Sequence, residues 1–271
     1  MAVPSLKMNN GLEIPQVGLG LWQNKDKKDC INAVNWGLEA GYRHFDSAQA
    51  YENEQFLGQA VKASKIPRKD IFITTKIRTA NMGNQLIETF DESLEKLQMD
   101  YVDLLLLHFP MTISWRISWP LMEEIYASGR AKTIGVSNYT ITHLEELLAE
   151  CKVKPAVNQV ELHVFLQQPD LVDYCKQKGI VVEAYSPLAH AHNINDPVLA
   201  DIAQKHGKTP AQIMIRWCVQ IGTVPLPKSA NKERIAQNID VFDFELDQDD
   251  MKQIAGLESD MRTSWDPTHV E

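Results

Sequence analysis

Asp46, Tyr51, Lys76 and His108 bring a carboxylate, a phenol, an amine and an imidazole to the ends of three consecutive apolar runs. Asp46 lies in YRHFDS (42–47), and Tyr51 follows it by five residues. Lys76 closes IFITTK (71–76), and His108 follows the leucine run of YVDLLLLHF (101–109). If the three runs are neighbouring strands, the four side chains share one rim. The chemistry such a set could do is general acid catalysis. A free phenol has a pKa of about 10, too weak an acid at neutral pH. A nearby ammonium should lower that value, and a carboxylate beside the ammonium should keep it charged. An imidazole can polarise and position a substrate carbonyl. Singly, each residue has an ordinary reading: rim packing for Tyr51, a solvated amine for Lys76, a hydrogen-bonded structural histidine for His108. Their convergence is what favours catalysis.

The positioning elements follow from periodicity. Eight β-rich runs recur: 16–20, 42–47, 71–76, 101–109, 131–138, 156–163, 180–186 and 223–228. Helical patterns lie between them at 27–40, 83–98, 117–129, 141–150, 168–178, 197–206, 209–220 and 231–238, with a last one near 247–257. In the first, Ile31, Val34 and Leu38 recur at spacings of three and four. Continuously apolar runs such as LLLL suit parallel strands buried on both faces. Strand and helix alternate throughout, so the fold class is α/β, and eight units predict a (β/α)₈ TIM barrel. Its functional rim is the carboxyl end of the strands. The first 15 residues predict a short hairpin turning at Asn9, Asn10 and Gly11. An open doubly wound sheet is the alternative. It lacks support because no G-x-G-x-x-G follows the first strand. The reading is one barrel domain over 1–271.

The 271 residues carry a formal net charge of −9, with 44% hydrophobic and 23% charged residues. That balance fills a sizeable core and argues against a nucleic-acid partner. No run approaches 18 consecutive apolar residues, so no membrane span is expected. The opening residues have no apolar run behind a positive start, and the four cysteines are scattered without a C-x-x-C pair. Both point to reduced thiols in a cytoplasmic protein. His190 and His192 form an H-x-H pair with no partner carboxylate of obvious spacing, so no metal is expected.

Seven segments together resemble the aldo-keto reductase family: GYRHFDSAQAYENE (41–54), FITTK (72–76), DLLLLHFP (103–110), IGVSN (134–138), VNQVELH (157–163), EAYSPL (183–188) and PKSANKERIAQN (227–238). They occur in family order, and the chain looks most like the bacterial 2,5-diketo-D-gluconic acid reductase branch. The resemblance implies NADPH-dependent reduction of an aldehyde or ketone without metal, by a monomer. It implies a catalytic tetrad of Asp46, Tyr51, Lys76 and His108, with Tyr51 as proton donor. For the cofactor it implies Gly20, Leu21 and Trp22 in the first loop, with Asp46 nearby. Ser137, Asn138 and Gln159 would hold a carboxamide, and Tyr185 would stack on the nicotinamide. Ser186, Pro187 and Leu188 would line the pyrophosphate, and Gln237 and Asn238 the adenine. Lys228, Ser229 and Arg234 suit a 2′-phosphate, since two cations and a hydroxyl stand at a helix start. Substrate contacts would be Trp22, Tyr51, Arg78, His108 and Phe109.

The chain departs from the family at several of these places. Phe109 stands where the family commonly has Trp, Ile77 and Arg78 follow the lysine in place of Leu and Trp, and Leu21 replaces Thr. His163 is followed by Val164 in place of Pro, and AHAHNIN (189–195) replaces a usually Gly-rich loop. These change the pocket wall and leave the substrate open. Arg78 could bind an anionic substrate group. Trp115 and Trp119 could edge the pocket, whereas Trp36 and Trp217 read as helix packing and His163 as a structural hydrogen bond. Two other functions remain possible on the residues alone: a Schiff-base aldolase using Lys76, and a barrel that only binds.

Overall fold

The computed structural model describes residues 3–268 and 270, with only the backbone described for 112–114. An antiparallel hairpin, β1 (Ser5–Lys7) and β2 (Glu13–Pro15), opens the chain. Eight parallel strands follow: β3 (Leu19–Gly20), β4 (His44–Asp46), β5 (Phe72–Ile77), β6 (Leu104–Leu107), β7 (Ile134–Ser137), β8 (Val157–Glu161), β9 (Val181–Tyr185) and β10 (Val224–Leu226). They pair in sequence order from β3 to β10. The ring closes through Gly18 N–H to the Pro225 carbonyl and Gly20 N–H to the Pro227 carbonyl, each 3.1 Å. Glycine is needed for that closure. A Cβ on Gly18 would lie 2.6 Å from Leu226 Cδ2, and one on Gly20 would lie 3.0 Å from the Leu226 carbonyl oxygen.

Among the described residues ten helices accompany the strands: α1 (Lys27–Ala40), α2 (Glu54–Ala63), α3 (Leu86–Leu97), α4 (Thr112–Ala127), α5 (Ile141–Glu150), α6 (Pro169–Lys178), α7 (Pro197–His206), α8 (Pro210–Gln220), α9 (Lys232–Ile239) and α10 (Gln248–Ala255). Side chains at their starts hold free backbone N–H groups, as Asp26 does for α1 and Thr209 for α8. The expected TIM barrel and hairpin are therefore present.

The leucine run shows why β6 reads as continuously apolar. Leu105 and Leu107 join the large cluster between strands and helices. Leu104 and Leu106 point inward, into a second cluster with Phe72, Val157 and Leu226. Met8 and Ile14 from the hairpin complete that inner cluster and plug the amino-terminal end of the barrel. With that end filled by hydrocarbon, polar side chains can gather only at the opposite, carboxyl-terminal end.

Three details differ from the sequence reading. Helix α2 was not among the expected helices, and it carries Gly58 mid-segment. Packing explains the glycine: a Cβ on Gly58 would lie 2.1 Å from the Leu97 carbonyl oxygen, so α2 and the end of α3 touch backbone to backbone. Helix α4 begins at Thr112, five residues before the expected start. Trp115 and Trp119 do not edge a pocket. They are buried in the outer cluster, and Trp119 Nε1 donates to the Val153 carbonyl at 3.1 Å. A large ring between helix and barrel removes more apolar surface there than at a rim.

Gly58 supplies a stability test. Glycine to alanine in a helix interior ordinarily stabilises by roughly 1 kcal/mol. Gly58→Ala is expected to destabilise instead, by about 1–3 kcal/mol, since the methyl overpacks against backbone. Urea denaturation of the two proteins measures the sign.

Candidate active site

Strands β4, β5 and β6 lie side by side, with Asp46 opposite Thr74 and Lys76 opposite Leu106. This register sets the Asp46 and Lys76 side chains at one level of the barrel mouth. Lys76 is fully buried, and its Nζ donates to Asp46 Oδ1 at 2.6 Å, Asp46 Oδ2 at 2.7 Å and the Ser47 carbonyl at 2.9 Å. It also lies 3.2 Å from the Tyr51 hydroxyl oxygen and 4.8 Å from the centre of the Tyr51 ring. Tyr51 sits in a 3₁₀ turn, Gln49–Tyr51, just beyond β4. His108 meets the Tyr51 ring edge to face, with centroids 5.7 Å apart. The four residues thus converge on one cluster.

Burial sets the electrostatics. For Lys76 burial favours the neutral amine, but Asp46 and Tyr51 more than offset it and hold the ammonium above its usual range. Tyr51 reverses the sequence expectation. Burial raises its phenol, Lys76 lowers it and Asp46 raises it, and the net direction is upward. The ammonium acts as expected but is outweighed by desolvation and by the carboxylate beside it. The phenol is therefore held protonated. His108 is pushed down to about 3 by burial and then by Lys76, so its imidazole is neutral at pH 7.

A polar chain runs from the cluster into the barrel. Gln159 on β8 donates one amide hydrogen to Asp46 Oδ2 at 2.9 Å and the other to Glu183 Oε2 at 2.8 Å. Glu183 on β9 is fully buried and lies 3.5 Å from His44 Nε2. Burial and the Asp46 charge push its carboxyl up to about 8. Sequence reasoning passed over Glu183 and Asn53. The available signal for Glu183 was a carboxyl inside an otherwise apolar strand run. Asn53 is buried and ties the loop after β3 to Ser47 beyond β4. It accepts from Ser47 Oγ at 2.6 Å and donates to the carbonyls of Leu21 and Asn24 at 2.9 and 3.2 Å.

Above this chain opens a cavity of about 640 Å³. Of the expected residues, Gly20, Trp22, Asp46, Tyr51, His108, Ser137, Asn138, Gln159, Tyr185, Ser186, Pro187, Leu188 and Lys228 line it. Asn138 is rigidly set. Its amide donates to the His108 carbonyl at 3.0 Å and to Ser137 Oγ at 3.1 Å, while its oxygen accepts from the Tyr185 hydroxyl at 2.8 Å. The pinned hydroxyl fixes the Tyr185 ring as a flat face on the cavity. Ser229 and Arg234 stand beside Lys228 at the start of α9, with Arg234 Nε 3.4 Å from Ser229 Oγ. Burial and then Arg234 lower the Lys228 ammonium below its usual range, with Asp29 only partly offsetting them, which marks a positive corner. Gln237 and Asn238 follow on α9, outside the cavity wall.

Leu21, Arg78 and Phe109 do not line the cavity. Leu21 is buried in the outer cluster. Arg78 is exposed, with its backbone N–H held by Gln49 Oε1 at 2.8 Å. The cavity also takes His190, from the 189–195 loop expected to alter the pocket wall, and residues that sequence reasoning left out, namely Gln23, Leu226, Thr263, Ser264 and Trp265. No periodic signal marks the last three, since the chain there is neither strand nor helix. The loop 189–195 contains no glycine, yet it adopts left-handed backbone. Ala189, His190, Ala191 and Asn193 all have φ between 47° and 64°, the left-handed region that favours glycine. His190 is held there by Ser186 Oγ at 2.9 Å and by an edge contact to the Trp22 ring at 5.3 Å. His163 makes its expected hydrogen bond, to Glu161 at 3.2 Å.

This barrel, with its charged cluster at the carboxyl-terminal mouth, defines a class of enzyme fold, and comparison names it. The chain matches the Aldo/keto reductase family over residues 16–259, and it belongs to that family. It is 42% identical over 264 residues to a 9,11-endoperoxide prostaglandin H2 reductase of Trypanosoma cruzi, covering 96% of this chain and 93% of the relative. It is 42% identical over 267 residues to a glyoxal reductase of Bacillus subtilis, covering 98% and 97%. It also superposes on the Bombyx mori aldo-keto reductase solved in complex with NADP, with a TM-score of 0.93 and 34% identity over 97% of this chain and 95% of that one.

The buried groups predict opposing pH effects on stability. His44 and His108 are both pushed down to about 3 from 6.5, so the stability they contribute is lost as pH falls through that window. Glu183 is raised from 4.5 to about 8, so its contribution is full below 4.5 and is lost as pH rises towards 8. Glu183→Gln should therefore flatten the decline in stability between pH 5 and pH 8 while leaving the acid limb in place, as read by thermal unfolding across that range (E183Q against wild type).

Proposed function

We propose that this protein reduces an aldehyde or ketone to an alcohol with NADPH, and that Tyr51 delivers the proton. The observation that carries the proposal is the Tyr51 hydroxyl, 3.2 Å from the buried Lys76 Nζ and open to the cavity. Family membership and the NADP complex of a close structural relative support the cofactor.

The cavity fits that cofactor. Both amide hydrogens of Gln159 are taken by Asp46 and Glu183, which leaves its carbonyl oxygen for a carboxamide donor. The Tyr185 face can stack a flat heterocycle, and the lowered Lys228 ammonium suits a phosphate, with Ser229 and Arg234 beside it. Ser137 and Asn138 complete the carboxamide side. Gly20, Ser186, Pro187 and Leu188 would face the middle of the molecule, and Gln237 and Asn238 the adenine. When bound, NADPH supplies the hydride.

The residues of the chain do the rest. His108, neutral, donates a hydrogen bond that orients the substrate carbonyl beside the Tyr51 hydroxyl. Tyr51 passes its proton to the carbonyl oxygen as negative charge builds there. The phenolate left behind lies against the Lys76 ammonium, which stabilises it. Asp46 keeps that ammonium charged, which also disfavours a Schiff base at Lys76. Trp22 would form part of the substrate wall. Arg78 and Phe109, outside the cavity wall, would reach a substrate only if it extends beyond the cavity. Three fully buried free thiols fit a reducing compartment, and we place a monomeric, single-domain enzyme in the cytoplasm.

Tyr51→Phe is expected to lower kcat by about 100-fold or more while leaving NADPH affinity within about twofold, since only the transferred proton is lost. Full kcat in that variant, followed by NADPH absorbance, would sink the role. Arg234→Ala should weaken NADPH by about tenfold and NADH far less, the loss of one charge-assisted phosphate contact. Titration calorimetry with both cofactors compares them, and equal weakening would overturn the 2′-phosphate assignment.

A further inference from the structure

Glu161 ends β8 and is 1% exposed, yet it does not line the cavity. Its carboxylate collects donors from a segment about a hundred residues later in the chain. Oε1 accepts from the Thr263 backbone N–H at 2.7 Å and from the Thr263 hydroxyl at 2.5 Å. Oε2 accepts from the Ser264 N–H at 3.1 Å. His163 supplies a fourth donor. Its Nδ1 accepts from the Phe165 N–H at 3.3 Å, which places the proton on Nε2, 3.2 Å from Glu161 Oε1. Burial alone would raise the Glu161 carboxyl, but His163 and Thr263 more than offset it and hold it below its usual range. The clamp is therefore ionised at neutral pH, and hydrogen bonds to a buried carboxylate are among the strong ones.

What the clamp holds is part of the cavity wall. Thr263, Ser264 and Trp265 all line it. Upstream, the Phe165 carbonyl accepts from the N–H groups of Ser259 and Met261 at 3.3 and 3.1 Å, which brings the segment to the barrel mouth. Arg262 also pairs with Gln168 Oε1 at 3.5 Å, Ser264 with the Tyr185 hydroxyl, and His143 Nε2 with the Val270 carbonyl at 3.2 Å, while Glu161 alone takes three hydrogen bonds from Thr263 and Ser264. Trp265 is 65% exposed although it lines a cavity, and Trp22 is 36% exposed on the same cavity. Two partly exposed indoles on one cavity offer flat apolar surface that only an occupant would cover.

We propose that Glu161 is a positioning residue: by clamping Thr263 and Ser264 it sets Trp265 as a substrate wall and so determines how tightly a carbonyl substrate with a flat, aromatic arm is held. The proposal rests on the reductase reading above and adds a substrate class to it. Glu161 does not itself line the cavity and acts through the wall; it lies opposite Tyr185 on the neighbouring strand, which is why NADPH affinity is measured beside KM.

The test compares nitrobenzaldehyde with propanal, using NADPH, in wild type, Glu161→Gln, Thr263→Ala and Trp265→Ala. Thr263→Ala removes one hydroxyl from a surface segment and covers the case in which Glu161→Gln does not fold. In both clamp variants KM for nitrobenzaldehyde should rise by about tenfold, with kcat, propanal KM and calorimetric NADPH affinity each within about twofold. Trp265→Ala should reproduce the rise, and Glu161→Gln combined with it should add little. Amide hydrogen exchange at residues 263 and 264 should quicken in Glu161→Gln. An equal rise in KM for both aldehydes, no rise at all, a parallel loss of NADPH affinity, or unchanged exchange would each overturn the proposal. Wild-type protein that binds NADPH and turns over neither aldehyde would overturn the reductase reading instead, and the exchange rates would still decide the clamp.

Discussion

The buried pair of Lys76 and Asp46 is the constraint on which the rest of the site depends. An ammonium taken out of water costs several kcal/mol, about as much again as its carboxylate, unless geometry returns it. Here both carboxylate oxygens, the Ser47 carbonyl and the Tyr51 oxygen surround Nζ. Such a set leaves little freedom. Asp46 must sit at the end of β4, Lys76 near the end of β5, and the turn carrying Tyr51 must fold back over them. Asn53 secures that turn by tying it to the loop after β3. Replacing either charge alone would strand the other in the barrel, at a cost of about 3–5 kcal/mol.

The same pair organises the interior below it. Asp46 engages Gln159, and Gln159 engages Glu183, so β4, β8 and β9 are linked through side chains across the barrel. A second full charge at Glu183 would crowd Asp46, and the protein answers by holding Glu183 largely protonated. The Tyr51 phenol is governed by the same balance of burial, ammonium and carboxylate. One dry compartment thus sets the protonation of several groups together.

Around this rigid floor, the wall is built from segments without regular structure. The loop after β9 keeps left-handed backbone at Ala189, His190 and Ala191, where the family usually uses glycine. The chain's last described segment is held at the mouth by Phe165, Glu161 and further ties to Gln168, Tyr185 and His143. The floor fixes the reaction and the wall shapes what can enter. Sequence departures from the family gather in the wall or outside the cavity, at Leu21, Arg78, Phe109 and residues 189–195, and none falls on Asp46, Tyr51, Lys76 or His108.

The sequence by itself determined the strand and helix alternation, the hairpin and the rim position of the four polar residues. Periodicity and strand ends are local properties, and burial of both strand faces leaves a direct mark such as LLLL. It also determined the family, because motif segments occur in order along nearly the whole chain. Only the tertiary structure decided matters of distance between remote residues. Gly58 has no side chain because α2 meets the Leu97 carbonyl there, a contact between segments about forty residues apart. Trp115 and Trp119 went to the core because hydrocarbon surface was available there. The direction of the Tyr51 pKa depended on desolvation, a quantity that no spacing encodes. Thr263, Ser264 and Trp265 became cavity wall through a carboxylate about a hundred residues away. Chemistry type was local and therefore legible, whereas burial and long-range contact exist only once the chain has folded.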